Sequence, residues 1–378
     1  MIRLDTLTGL LATPGPFATA YLDATRSKEL GPQEVDKRWR ALRAELAEQG
    51  ADEATLAAMD DAVGGHPDVP GDHGQVLVGA GGRLLYDIAL PEVPRRETAS
   101  WSPLPDLMPA LAQLGARVPY VLALVDRTGA DVTVVGPDHS SEETQTVKGD
   151  TYPIRKVGVG GWAHLRYQHR AEDLWEANAR QVAEVIESAV HRGRTRLVVL
   201  AGDVRAREAL RKNLDERSAE LVVELQTGGR AEGIDEEKLD AEVDSVVARA
   251  ALDADQAVLD RFAEAHGRAE SGVGDVLAAT GIPDTVAALR QAQVDTLLIV
   301  DDPSSDATAW IGPEPVHLAL TAEELTELGV TEPVQARLDA ALVRAAAGTD
   351  ATLVTLAPGQ LDVADGLGAT LRYPAAAG

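Results

Sequence analysis

The chain runs to 378 residues, with 35 Lys and Arg against 61 Asp and Glu, a formal charge of −26 and no cysteine. The missing cysteines remove disulfides, thiolate catalysis and Cys-bearing zinc or iron–sulfur sites, and the acidic balance argues against indiscriminate coating of DNA or RNA, since phosphate contacts need Lys and Arg. No run approaches the roughly 18 apolar residues that cross a bilayer, and the start of the chain, with Asp5 and no long apolar core, does not read as an export signal; a soluble, cytoplasmic protein without membrane partners is expected.

The length allows two or three domains of about 100–200 residues each. The first, residues 1–114, opens with a strand at Phe17–Leu22 and a helix in which Val35, Trp39, Leu42 and Leu46 recur at helical spacing. Gly50 stops that helix, and a second begins near Asp52 with Leu56, Met59 and Val63 on one face. A turn-rich stretch from Gly64 to Gly74 precedes two strands joined at Gly79–Gly82. The pattern is that of a small α+β domain.

Residues 115–268 form the second domain. Pro119–Val125 and Ala130–Val135, joined by Asp126-Arg-Thr-Gly129, read as a hairpin. An acidic connection from Asp138 to Glu143 follows, then a basic stretch, Arg155 to Arg170, and a helix from His164 to Val190 whose buried face uses Leu174, Val182, Val185, Ile186 and Ala189. After it come a strand at Arg196–Leu200, a helix at Val204–Asn213, a strand at Glu220–Leu225, and a long helix or broken pair from Ile234 to Ala265. The third domain, residues 269–378, alternates a helix (Pro283–Gln293), strands (Thr296–Val300 and Ala307–Trp310), a helix (Val334–Ala347) and strands (Ala351–Leu356 and Ala369–Tyr373). That alternation implies an α/β sandwich about a mixed sheet.

Charge is unevenly spread. Residues 151–218 hold 13 basic against 9 acidic residues, a net of +4, while the last 108 residues hold 4 against 15, a net of −11. From Arg155 to Arg170 there is no acid at all. Gly158-Val-Gly-Gly-Trp-Ala163 satisfies the dinucleotide pattern G-x-G-x-x-G/A, but no clean strand precedes it, and Trp162 sets an indole where backbone must approach a pyrophosphate. His164 and His169, five apart on a helix, point about 140° away from each other and are poorly placed to share a metal. Asp126, Asp203, Asp301 and Asp302 lie at strand ends, where turn and helix-cap duty is expected of them. Neither a cofactor nor a metal is expected.

Two readings of the basic stretch stay open at this point. In one it is a solvated turn whose arginines pair with Glu172 and Asp173. In the other it is an RNA-binding finger: Arg155, Lys156, Arg166 and Arg170 meet phosphates, Trp162 and Tyr167 stack on bases, Gly158, Gly160 and Gly161 supply backbone freedom, and His164 belongs to the same RNA-binding set.

Gly160-Gly161, followed by Arg166-Tyr167, Arg170 and a charged helix with Glu172, resembles the Gly-Gly-Gln loop and following helix of the eukaryotic and archaeal class-1 release factors and Pelota. In that family the loop enters the peptidyl transferase centre and its Gln helps water hydrolyse peptidyl-tRNA. The hairpin at Asp126–Gly129 is similar to the opening of the family's RNase H-like middle domain. Gly366 to Tyr373, with Val286 to Val300, is similar to its third domain, related to kink-turn-binding ribosomal proteins. The resemblance spans residues 115–378 and is poor over the first 110.

Two departures decide what the resemblance implies. Trp162 replaces the Gln, and an indole has one donor and no acceptor, so it cannot orient a water as an amide does. The stop-codon motifs Asn-Ile-Lys-Ser and Tyr-x-Cys-x-x-x-Phe are also absent. The chain therefore looks like the bacterial branch of Balon-type hibernation factors, which occupy the ribosomal A site to protect an idle ribosome under stress. The resemblance implies the ribosome and its 23S rRNA as partners, with elongation factor Tu as another. The alternative is a peptidyl-tRNA or tRNA hydrolase of ribosome rescue working through a non-standard loop.

Overall fold

The computed structural model describes residues 2–26, 31–66, 69, 71–115, 118–126, 129–136, 142–148, 178–192, 195–226, 236–270, 275–302, 305–360 and 362–374. They form two compact units, Met1–Ala116 with Ala254–Gly378, and Arg117–Asp253. The chain is a mixed α/β protein, as its alternating patterns predict.

The first unit begins with β1 (Ile2–Arg3), α1 (Thr8–Leu11), β2 (Phe17–Asp23), α2 (Gly31–Glu48) and α3 (Glu53–Asp60). Val35, Trp39, Leu42 and Leu46, whose spacing predicts α2, are its buried stripe. Asp52 caps α3, its side chain accepting from the Thr55 amide at 2.9 Å. β3 (Gly74–Ala80) and β4 (Arg83–Leu90) meet at Gly81-Gly82, where φ values of +57° and +73° suit a tight hairpin. With β5 (Thr98–Ser102) they form an antiparallel sheet ordered β4-β3-β2-β5. One face of this sheet, through Ala18, Ala20, Leu22 and Leu77, packs on α2 and α3. The other, through Phe17, Tyr21, Val76 and Val78, enters a larger core. Burial on both faces explains why β2 is apolar from Phe17 to Leu22 except for the buried Thr19. α4 (Met108–Gly115) ends this half.

The second unit contains β6 (Tyr120–Asp126), β7 (Gly129–Val135), β8 (Glu142–Lys148), α5 at 178–191, β9 (Leu197–Gly202), α6 (Val204–Asn213), α7 (Glu216–Glu220) and β10 (Val222–Glu224). It also holds the first half of α8 (Glu236–Glu270), one continuous helix where the sequence left a broken pair open. The sheet order is β10-β9-β6-β7-β8, with β10, β9 and β6 parallel and β7 and β8 antiparallel. Val121, Ala123 and Val125 of β6 face α5 and α6 through Val182, Ile186 and Leu210. On the opposite face Leu239 and Val243 of α8 cover Val118, Leu197 and Val199. Helices on both faces match the near-continuous apolar run of β6, with Val121, Ala123 and Val125 buried on one face and Tyr120, Leu122 and Leu124 partly buried on the other.

Two expectations change here. The acidic connection gives way to β8 from Glu142 onward, because Thr144 to Val147 find a partner in β7 that polar composition does not advertise. The strand expected at Glu220–Leu225 shortens to β10, since Asp215 caps α7 by accepting from the Ser218 amide at 2.7 Å and holds Glu220 in the helix.

The first unit resumes with β11 (Ala278–Thr280), α9 (Gly281–Arg290), β12 (Val294–Val300), β13 (Thr308–Ile311), β14 (Leu318–Ala319), α10 (Ala322–Glu327), β15 (Val334–Arg337), α11 (Leu338–Gly348), β16 (Thr352–Leu356) and β17 (Leu367–Leu371). The expected helix from Val334 is corrected: Val334–Arg337 pairs antiparallel with β13 in a small sheet ordered β14-β13-β15, and the helix starts only at Leu338. Pro333 suits a helix start, but four residues of strand pairing override that local preference. The larger sheet, β1-β16-β12-β17-β11, is mixed, with α8 contributing Val258 and Phe262 to one face. β1 adds to its edge, Ile2 opposite Leu353 and Arg3 opposite Thr352. Leu4, Leu7, Leu11, Phe17 and Tyr21 thereby share one core with Leu297, Leu342 and Leu353.

Candidate functional site

The residues assigned to RNA binding from the sequence, Arg155, Lys156, Gly158, Gly160, Gly161, Trp162, His164, Arg166, Tyr167 and Arg170, lie outside the described residues, as do Glu172 and Asp173. What the structure gives is the frame that carries them. β8 ends at Lys148, which stands opposite Gly129 in the ladder with β7. The helix that follows the segment begins its described part at Asn178, which lines one small cleft with Val125, Asp126 and Gly129. Lys148 and Asn178, the described residues on either side of 149–177, therefore stand at the same end of the sheet, beside Gly129. Both anchors are firm, since β8 is paired along its whole length and α5 buries Ala179, Val182, Ala183 and Ile186.

That end of the sheet is tightly built. The cleft has a volume of about 20 Å³ and is closed by Ala206, Ala209 and Leu210 of α6, enough for about one water. Asn178 is 7% exposed, and among the described residues its Nδ2 has no hydrogen-bond partner. Gly202 takes φ +121° where β9 passes β6, and a Cβ on it would stand 2.0 Å from the Val125 carbonyl oxygen. Asp203 caps α6, accepting from the amides of Arg205 at 3.0 Å and Ala206 at 3.2 Å, the role its position predicts. Arg207, on α6 itself, is 3% exposed and donates from Nη1 to Glu224 at 2.9 Å.

Asp301, another strand-end acid, accepts from Arg95 Nη1 at 3.2 Å, and its amide donates to the Leu356 carbonyl at 2.8 Å. Burial raises its carboxyl above the usual carboxylate range against the pull of Arg95. Sequence reasoning missed the group next to it. Burial, helped by the charge of Asp339 and opposed by Arg337, pushes the Asp106 carboxyl up to about 6. The Asp106 carbonyl accepts from the Tyr21 hydroxyl at 2.8 Å, and that hydroxyl accepts from the Ala110 amide at 3.3 Å. No local signal marks Asp106, because Asp339 and Arg337 reach it only through the shared core. Among the described residues, no group of three or more His, Asp or Glu is disposed to hold a metal ion, and no helix is long and apolar enough to cross a membrane.

A family model described as bacterial archaeo-eukaryotic release factor family 2 matches residues 119–268. The protein Rv2629 of Mycobacterium tuberculosis strain H37Rv is 32% identical over 378 residues, covering 99% of this chain and 98% of that protein. Among solved structures, Dom34 of S. cerevisiae, a translation termination-like factor involved in RNA quality control pathways and interacting with Hbs1, is similar over 98% of this chain and 92% of its own at 10% identity and a TM-score of 0.43. The archaeal translation termination factor aRF1 is similar over 98% and 97% at 16% identity and a TM-score of 0.26. The Pelota of Archaeoglobus fulgidus is similar over 98% and 92% at 12% identity and a TM-score of 0.31.

Proposed function

The chain belongs to bacterial archaeo-eukaryotic release factor family 2, and from that membership we propose that it is a ribosome-binding hibernation factor that does not hydrolyse peptidyl-tRNA. On this reading it occupies the A site and extends the loop around Gly160-Gly161-Trp162 toward the peptidyl transferase centre. The observation that carries the proposal is that the acid-free segment 155–170 lies inside the family match, between Lys148 and Asn178, which both stand near Gly129 at one end of the sheet. Such a stretch can present cations away from an otherwise acidic body.

Arg155, Lys156, Arg166 and Arg170 neutralise rRNA phosphates on this account, and Trp162 or Tyr167 stacks on a base, each stack contributing ~1–3 kcal/mol. With Trp162 where the amide belongs, that position carries an indole, which donates but cannot accept a hydrogen bond from a water, and on this account docking occurs without cleavage. Residues 115–268 act as the ribosome-facing domain. The acidic residues 269–378 face protein partners, elongation factor Tu among them.

Full-length protein mixed with ribosomes carrying labelled peptidyl-tRNA tests this directly. The expected result is co-sedimentation that weakens steeply with salt and no release of peptide. Peptide release identifies a hydrolase instead, and no co-sedimentation at low salt removes the ribosome from the account. Arg166→Glu with Arg170→Glu abolishes binding if the loop is the contact; unchanged affinity excludes it.

A further inference from the structure

Residues 291–336 hold nine acids and no Lys or Arg. β13, β14, α10 and all of β15 but Arg337 lie within them, so the small sheet β14-β13-β15 is built almost wholly from base-free chain. Arg337 is the exception, and Asp339 takes up its guanidinium, accepting from Nε at 3.1 Å. Two of the nine acids meet arginines from outside the stretch, Asp301 with Arg95 and Glu324 with Arg290. Asp306 and Glu332 are exposed and, among the described residues, pair with no cation.

These two acids flank an open strand edge. β15 pairs with β13 from Val334 to Arg337 without a bulge, and among the described residues no strand lies on its other side. The Leu338 amide donates to the Ala307 carbonyl at 2.9 Å, one step beyond the ladder. Antiparallel bonding alternates, so Val334 and Ala336 bond to β13 while the amide and carbonyl of Gln335 point to the open side. The Gln335 side chain is held over β13, donating to Thr308 Oγ1 at 2.9 Å. Ala309, Ile311 and Ala336 sit in the core of the unit, which fixes the edge in place. Val334, at the start of the strand, is 46% exposed. Glu332 precedes β15 at one end, and Asp306, next to Ala307, stands at the other.

An edge that offers backbone groups is a template for a further strand, and proteins that must avoid pairing place Lys, Pro or a bulge on it. β15 carries none of these, and its one Arg is neutralised by Asp339. Charge then selects what joins it: acidic surfaces and nucleic acid are repelled, whereas Lys or Arg side chains of an added strand meet Asp306 and Glu332. We propose that β15 is the docking edge for an extended, Lys- and Arg-bearing segment of a protein partner, which adds as a strand beside it. This rests on the reading that residues 269–378 face protein partners, and it names the chemistry of the segment they take.

The test uses the full chain and a fluorescein-labelled peptide of alternating Val and Lys, followed by anisotropy at several salt concentrations. The wild-type protein binds it, more weakly as salt rises. Gln335→Pro removes the outward N–H but none of the bonds to β13, and it weakens binding about tenfold. Asp306→Lys with Glu332→Lys weakens it too and flattens the salt dependence. The same peptide with every backbone amide methylated keeps its charge, cannot donate to the edge, and binds at least about tenfold less tightly. Equal binding of the two peptides, or no binding of either by the wild-type protein, overturns the proposal. So does dimerisation of the protein that Gln335→Pro abolishes, since that gives the edge to a second copy. The methylated peptide decides even if Gln335→Pro fails to fold. No ribosome is present in the assay, so this result and the ribosome result stand or fall separately.

Discussion

Asp106→Asn is expected to stabilise the protein at neutral pH. The folded carboxyl titrates at about 6 against an ordinary value of 3.8, so between those values the folded state takes up a proton that the unfolded chain does not. Stability from this group therefore rises as pH falls through 6 toward 4, and the full penalty of ionisation is present above about pH 7. A displacement of that size corresponds to about 3 kcal/mol, an upper bound because the residue is only partly buried and water screens some of the charge. Asparagine keeps the carbonyl oxygen that faces the Met108 amide and removes the charge next to Asp339. Urea midpoints of wild type and variant at pH 8 and pH 5 measure the difference, with all other titrating groups common to both. The gain is up to about 3 kcal/mol at pH 8 and about half that at pH 5. A gain that does not change with pH, or a loss at pH 8, refutes the assignment of a buried, charge-crowded carboxylate.

Glu224→Ala strands the Arg207 guanidinium, 3% exposed, and is expected to cost about 3–5 kcal/mol; Arg207→Met combined with Glu224→Leu costs clearly less, and denaturant unfolding that shows the two equal removes the pair from the account. Gly202→Ala combines φ +121° with a Cβ 2.0 Å from the Val125 oxygen and lowers stability by more than about 3 kcal/mol; a change in thermal unfolding equivalent to under 1 kcal/mol contradicts the close passage of β9 and β6. Tyr21→Phe leaves the Asp106 carbonyl and Ala110 amide without their bonds and costs about 1–3 kcal/mol, read as a drop in urea midpoint that an intact hydroxyl-independent core does not show.

The sequence by itself determined the elements whose side chains repeat with the period of their own backbone. α2 is legible in Val35, Trp39, Leu42 and Leu46, and the β6–β7 hairpin in two apolar runs about a four-residue turn, because periodicity and turn chemistry are local. The basic stretch was legible too, since charge is counted without coordinates. Tertiary structure decided whatever depends on a distant partner. β15 is a strand because β13 lies beside it, and β8 because β7 does. β1 is two residues long and exists through its pairing with Leu353 and Thr352. The raised pKa of Asp106 arises from burial in the tertiary core and from the charge of Asp339, more than 200 positions away. Strand pairing, desolvation and charge proximity act through space, and a single sequence records only neighbours along the chain.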